Sequence, residues 1–130
     1  MGPVFSISTG RIAEPKRNQH TMQDVSTAKQ IVIAASQRIL YLPHAIRQMS
    51  RPDRMITAAE VRDVVEHGEI IEDYPLDARG HSCLLLKFLS DTRPIHVVCA
   101  PKADYLAIIT AYVPTSEEWE DNYRKRKLSL

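Results

Sequence analysis

The chain predicts an α+β fold: N-terminal helices packed on a four-stranded antiparallel meander sheet, with a C-terminal helical tail. Three observations carry that prediction. A fully capped amphipathic helix is written in "ITAAEVRDVVEHG" (56–68). Four apolar, β-prone segments follow it, separated by short polar loops of roughly four to seven residues. All helical patterning precedes that run of strands, which segregates helices to one side of an antiparallel sheet rather than interleaving them.

Taken in order, residues 1–24 show no sustained period and scatter Arg11, Lys16, Arg17 and His20, so they are read as a flexible extension. The remainder, 25–130, is read as a single domain. "STAKQIVIAASQRILYL" (26–42) is apolar and fits either one helix led by Ser26 or a helix passing into a short strand at "RILYL". "LPHAIRQMSRPDR" (42–54), wound as a helix, puts Leu42, Ala45, Ile46 and Met49 in one sector and His44, Arg47, Gln48 and Arg51 in the other.

In the best-specified helix Thr57 is the N-cap and Glu60 completes a capping box, while Ile56 and Val61 are spaced as a hydrophobic staple. Val61, Val64 and Val65 form the buried stripe. His67 lies in the last turn, where positive charge is favoured, and Gly68 is read as a left-handed stop. From there the period becomes that of strands: "EIIEDYP", then "CLLLKFL" after the loop "LDARGHS", then "RPIHVVCAP", then "DYLAIITAYVP". The tail "TSEEWEDNYRKRKLSL" has acids first and cations last, which suits a helix.

Length and composition bound the function. A chain of 130 residues with 44% hydrophobic and 25% charged content is an ordinary small globular protein. A net charge of +1 means that any electropositive site is local. Cys83 and Cys99 sit in apolar runs without metal-like spacing to histidine and are read as buried reduced thiols, which fits the cytoplasm. No apolar run has membrane-spanning length, and "MGPVFSISTG" makes a poor secretory signal. Gly2 and Ser6 match the loose myristoylation pattern by accident. Glycine-rich phosphate loops, serine-nucleophile elbows and zinc-ligand clusters are missing, which argues against nucleotide hydrolases and metallohydrolases. No cofactor or metal is expected.

The residues left for chemistry are few. RNA cleavage by 2′-hydroxyl attack needs an acid, a base and cations on the phosphorane, but no metal. His44, Arg47 and Arg51, three and four apart, can converge on one phosphate or form a solvated helix surface. His96 alternates with strand apolar residues and is either a satisfied core histidine or a polar group on an open sheet face. Lys87 marks a solvent edge or meets a phosphate, and Tyr112 packs or stacks on a base. His81 lies in a loop with no assigned role. Of Glu69, Glu72 and Asp73, only those opposite Ile71 would share a cleft. Trp119 is read as an anchor of the tail, and the run Arg124–Lys127 as solvated or phosphate-binding.

The stretches "HAIRQMSRPDRMITAAEVRDVVEHGEIIEDYP", "GHSCLLLKF", "RPIHVVCA" and "IITAYVP" together resemble the bacterial family catalogued as domain of unknown function 4258. The resemblance covers about 40–114. Its carriers are His44-Ala45 with Arg47, Ile56 to Val61, Gly68 to Ile71, Pro94 with His96, and Tyr112 with Pro114. That family is similar to the RelE/ParE and BrnT toxins in its helices-then-sheet plan. The resemblance implies a bacterial toxin-like protein that acts on mRNA or at the ribosome and is held inactive by an antitoxin. Joined to the His–Arg chemistry above, the expectation is a metal-independent ribonuclease with an antitoxin or other protein partner. In that reading His44 is acid or base, Arg47 clamps phosphate and His96 contributes from the sheet. Arg51, Arg54, Lys87 and Tyr112 contact substrate, with either Arg51 or Arg54 in the family's arginine place because the loop holding Pro52 is longer. The alternative is a non-catalytic protein- or nucleic-acid-binding module of a larger assembly.

Overall fold

A computed structural model describes residues 22–78 and 80–128. Most of the expected extension, residues 1–21, lies outside the described residues, and its last three belong to the first helix. That helix, α1 (Met22–Ala35), runs into a short strand, β1 (Ile39–Tyr41), so the strand alternative at "RILYL" is the one adopted. Then come α2 (Pro43–Met49), α3 (Ala58–His67), β2 (Glu69–Tyr74), β3 (Ser82–Ser90), β4 (Arg93–Pro101) and β5 (Leu106–Tyr112). Two short strands, β6 (Trp119–Glu120) and β7 (Lys125–Arg126), close the chain. No helix of the described residues is long and apolar enough to cross a membrane.

The fold is α+β, and β2 to β5 pair antiparallel in chain order. The main sheet nevertheless has five strands and is mixed, in the order β1-β5-β4-β3-β2, because β1 adds to β5 in parallel. The Leu42 N–H donates to the Ile108 carbonyl at 3.0 Å, and the Leu106 N–H to the Arg38 carbonyl at 2.8 Å. A three-residue strand is too short for periodicity to reveal.

The expected C-terminal helix is a hairpin instead, with Trp119 opposite Arg126 and Glu120 opposite Lys125. Asp121, Asn122 and Tyr123 turn it with φ of 55°, 54° and 67°, and Asp and Asn are residues that tolerate this left-handed region. The acids and cations of the tail therefore serve a turn and pairings across the molecule, not a helix dipole.

The α3 signals act as read. Thr57 Oγ1 accepts from the Glu60 N–H at 3.1 Å, and Glu60 Oε1 accepts from the Thr57 N–H at 2.9 Å. Ile56, Val61, Val64 and Val65 are buried in one core with Ala28 and Val32 of α1, Ala45 and Met49 of α2, and sheet residues such as Leu85, Val97 and Ile108. The Lys29 ammonium donates to the Gly68 carbonyl and ties α1 to the α3–β2 junction.

Gly68 is required for a different reason from the one read off the sequence. Its φ of −78° and ψ of 174° are extended, so no left-handed turn demands glycine. A Cβ there would stand 2.4 Å from the Val64 carbonyl oxygen and 2.9 Å from that of Leu86. The helix end is pressed against β3, and only a hydrogen fits between them.

Two bulges decide which side chains face which layer. The β2–β3 register skips Ile71, so Ile70 opposes Leu85, Glu72 opposes Leu84 and Asp73 opposes Cys83. Ile70, Leu85 and Cys83 belong to the helix-side core, so Asp73 points to that side and Glu72 to the other. A second irregularity, between Val98 and Cys99, leaves Ile109 unpaired and keeps both Ile108 and Ala111 in the core. We expect Gly68→Ala to destabilise the protein by about 2 kcal/mol or more, since two backbone oxygens must retreat. Urea unfolding should show this as a fall in midpoint with an unchanged slope.

Candidate functional site

The polar sector of α2 is smaller than its sequence suggests. The helix stops at Met49, with only Ala45 and Met49 buried, and Leu42 and Ile46 of the apolar sector are exposed. His44 and Arg47 occupy consecutive turns in solvent. Among the described residues, no carboxylate lies within ion-pair range of either. Arg51 follows the helix end, and its Nε and Nη2 donate to the two Asp53 oxygens at 3.2 and 3.1 Å. Arg54 turns inward and donates to Gln48 Oε1 at 3.3 Å, leaving its buried Nε without a hydrogen-bond partner. Arg93 closes this loop by donating to the Arg54 and Met55 carbonyls and to Glu60.

His96 lies on the other side of the sheet. Its neighbours Ile95 and Val97 face the core that holds Ala45 and Met49 of α2, so alternation points His96 away from the helices. There the C-terminal hairpin covers it. The His96 Nε2–H donates to the Tyr123 carbonyl at 2.9 Å, which leaves Nδ1 to accept from the Tyr112 hydroxyl at 3.1 Å. The Trp119 ring stands edge-on to His96 at 4.4 Å and the Tyr112 ring at 5.2 Å. The imidazole is fully buried. That burial lowers its pKa to about 4, opposed by the Tyr123 carbonyl and assisted by the Arg126 charge. Burial also pushes the Tyr112 phenol well above its ordinary range.

The hairpin is held by two cations that cross to β2. Arg126 donates to both oxygens of buried Glu72, at 2.7 and 3.0 Å, while Tyr74 donates to Glu72 Oε1 at 2.8 Å. The Arg126 guanidinium also lies 4.8 Å over the Trp119 ring. Arg124 grips Glu69 at 2.9 and 3.2 Å, and the Tyr123 ring meets Phe88. The basic run is thus partly spent on internal carboxylates, and Trp119 is the expected anchor, 4% exposed.

The residues singled out in the sequence therefore fall into separate places. His44 and Arg47 share the α2 surface; Arg51 and Arg54 are engaged in the following loop. Lys87 sits on the helix side beside α3, its Nζ donating to Asp63 at 3.2 Å. His96 and Tyr112 are together, but under the hairpin and across the sheet from His44.

A third cluster was not read from the sequence at all. Asp73, His81 and Cys83 bring one donor atom each within 4.8 Å of the others. His81 Nε2 is 2.6 Å from Asp73 Oδ1, the Cys83 thiol donates to the same oxygen at 3.3 Å, and sulfur and imidazole are 3.5 Å apart. The apparent lack of His–Cys spacing is corrected here: His81 and Cys83 are two apart at the entrance of β3, so an extended chain puts them on one face. The two-residue spacing is present in the sequence, but the glycine-containing loop around His81 and the apolar run around Cys83 conceal it.

The family described as domain of unknown function DUF4258 matches residues 41–113, from the end of β1 to just past β5. No curated protein and no solved structure matches the chain. The hairpin over His96 lies beyond the matched segment.

The buried imidazole makes stability depend on pH. Its folded pKa, about 4, is depressed from 6.5, so the unfolded chain takes up this proton first. The stability contributed by neutral His96 is complete above pH 6.5 and is lost as pH falls from 6.5 towards 4, by at most roughly 3 kcal/mol. Urea unfolding across that window should show the loss, and His96→Gln should flatten it. A His96 ring titrating above pH 6 by NMR would contradict this account.

Proposed function

We propose that this chain, which belongs to the DUF4258 family, is a toxin-like RNA-binding protein that holds the RNA backbone on the α2 surface through His44 and Arg47. The observation that carries the reading is the contrast among its charges. Arg51, Arg62, Lys87, Arg93, Arg124 and Arg126 each have a carboxylate partner within the chain. His44 and Arg47 have none among the described residues; Arg38, Lys125 and Lys127 also have none, but His44 and Arg47 are the pair that share one helix face, a turn apart in solvent. A guanidinium fork beside an imidazole suits phosphate oxygens without a metal. The toxin-like part rests on the resemblance in plan to the RelE/ParE and BrnT toxins.

The reading does not include cleavage by a His44–His96 pair. The two rings lie on opposite sides of the sheet, and both His96 nitrogens are engaged internally. Arg51 and Arg54 are secondary contributors at most, since Asp53 and Gln48 compete for them.

A second reading, a module that binds a protein partner, is favoured by a different observation. Leu42 and Ile46 are 41% and 52% exposed next to β1, one of the sheet's two edge strands, and edges are where added strands or helices dock.

Fluorescence anisotropy with labelled single-stranded RNA tests the first reading. Arg47→Ala should weaken binding about tenfold and reduce the salt-dependence slope by about one, whereas Arg62→Ala, on α3, should not. Induced expression should slow bacterial growth, and His44→Ala with Arg47→Ala should relieve it. Absence of RNA binding at low salt sinks the reading. Partner capture that is lost in Ile46→Asp but survives Arg47→Ala would favour the second.

A further inference from the structure

The Asp73–His81–Cys83 cluster joins three chemically different ligands from two strands and the loop between them. Asp73 comes from the bulged half of β2, Cys83 from the first turn-in of β3, and His81 from the residue just before that strand. Asp73 and Cys83 are cross-strand partners and both are buried, while the His81 side chain remains 19% exposed. The cluster therefore has a dry floor and a wet mouth on the loop side.

We infer that Asp73, His81 and Cys83 form a binding site for a zinc-class divalent transition metal, with a fourth position open towards solvent. Zinc sits about 2.3 Å from thiolate sulfur and about 2.0–2.2 Å from imidazole nitrogen or carboxylate oxygen. Tetrahedral angles then separate sulfur from nitrogen or oxygen by about 3.5 Å, and nitrogen from oxygen by about 3.4 Å. The two sulfur edges of the triangle, 3.5 and 3.3 Å, already have that length. Only the His81–Asp73 edge, at 2.6 Å, must open, by about 0.8 Å. The loop side of the site, where the partly exposed His81 stands, is the side that can yield.

Charge and softness select the ion. A thiolate, a carboxylate and a neutral imidazole carry two negative charges in total, so a divalent cation makes the site neutral, which burial favours. Metal binding breaks the Cys83 S–H bond, forms the metal–sulfur bond and delivers the proton to solvent. Thiolate and imidazole together disfavour calcium and magnesium, which prefer all-oxygen shells. In the metal-free chain the thiol stays protonated, because burial and the neighbouring Cys99 and Asp73 push its pKa far up. Three protein ligands plus an open position is the pattern of sites that keep a water or a substrate on the metal. The inference uses none of the residues assigned to RNA.

Cobalt(II) titration of the full-length, reduced protein tests it. Reductant is needed because Cys83 and Cys99 are direct cross-strand partners. One equivalent of cobalt should produce a thiolate-to-cobalt charge-transfer band with tetrahedral ligand-field bands, and zinc should displace it. The charge-transfer band should vanish in Cys83→Ser and persist in Cys99→Ser. His81→Gln, a change on the exposed side that circular dichroism can verify as folded, should weaken binding at least roughly tenfold. No band in the reduced wild-type protein overturns the inference. So does a band that survives Cys83→Ser, or one that His81→Gln leaves at full affinity.

Discussion

One extra residue in β2 governs how the rest of the sheet is dressed. With strict alternation, Glu72 would share a face with Ile70 and would enter the helix-side core, while Asp73 would turn the opposite way with Glu69. The bulge at Ile71 prevents this. It keeps Ile70 in the core and rotates the following residues by one position. Glu69 and Glu72 then lie on the same face, spaced to receive Arg124 and Arg126 from the hairpin. Asp73, sent to the helix side, meets His81 and Cys83. The clasp on one face and the three-ligand cluster on the other both depend on that single irregularity.

The clasp also explains why the sheet can carry a histidine at its centre. A sheet buried on both faces offers few solvent partners, so each polar group must be satisfied from within. His96 achieves this with one backbone carbonyl and one tyrosine hydroxyl, and Trp119 seals the remaining edge. Nearby Arg126 is matched by Glu72 rather than left to face the imidazole alone. The ring is a structural hub between β4, β5 and the hairpin.

How much of this could be read from residues alone depended on whether the signal was local. The α3 helix was legible to its caps because Thr57, Glu60 and Ile56 act within one turn. The strands β2 to β5 were legible because their apolar runs are long and their loops short. Gly68 was recognised as necessary but for the wrong reason, since its neighbour across the gap, the Leu86 carbonyl, is distant in sequence. The tail misled because acids followed by cations describe a helix as well as they describe a hairpin whose partners are on β2. At the candidate sites, the exposed His44 and Arg47 were visible in helical spacing, but the separation of His44 from His96 needed the sheet's faces. His81 and Cys83 could have been paired by their two-residue spacing. Asp73 could not, because a bulge has no sequence signature here.

The segment matched by the family ends before Pro114 and begins at Tyr41, and that extent does not coincide with what holds the chain together. Ala28 and Val32 of α1 lie in the core, and Trp119 is buried beyond β5. An excised 41–113 would present the sheet without part of its helix cover and with His96, Glu72 and Tyr112 stripped to water. In this protein the segment that the family model matches is shorter than the segment that closes the core on both faces of the sheet.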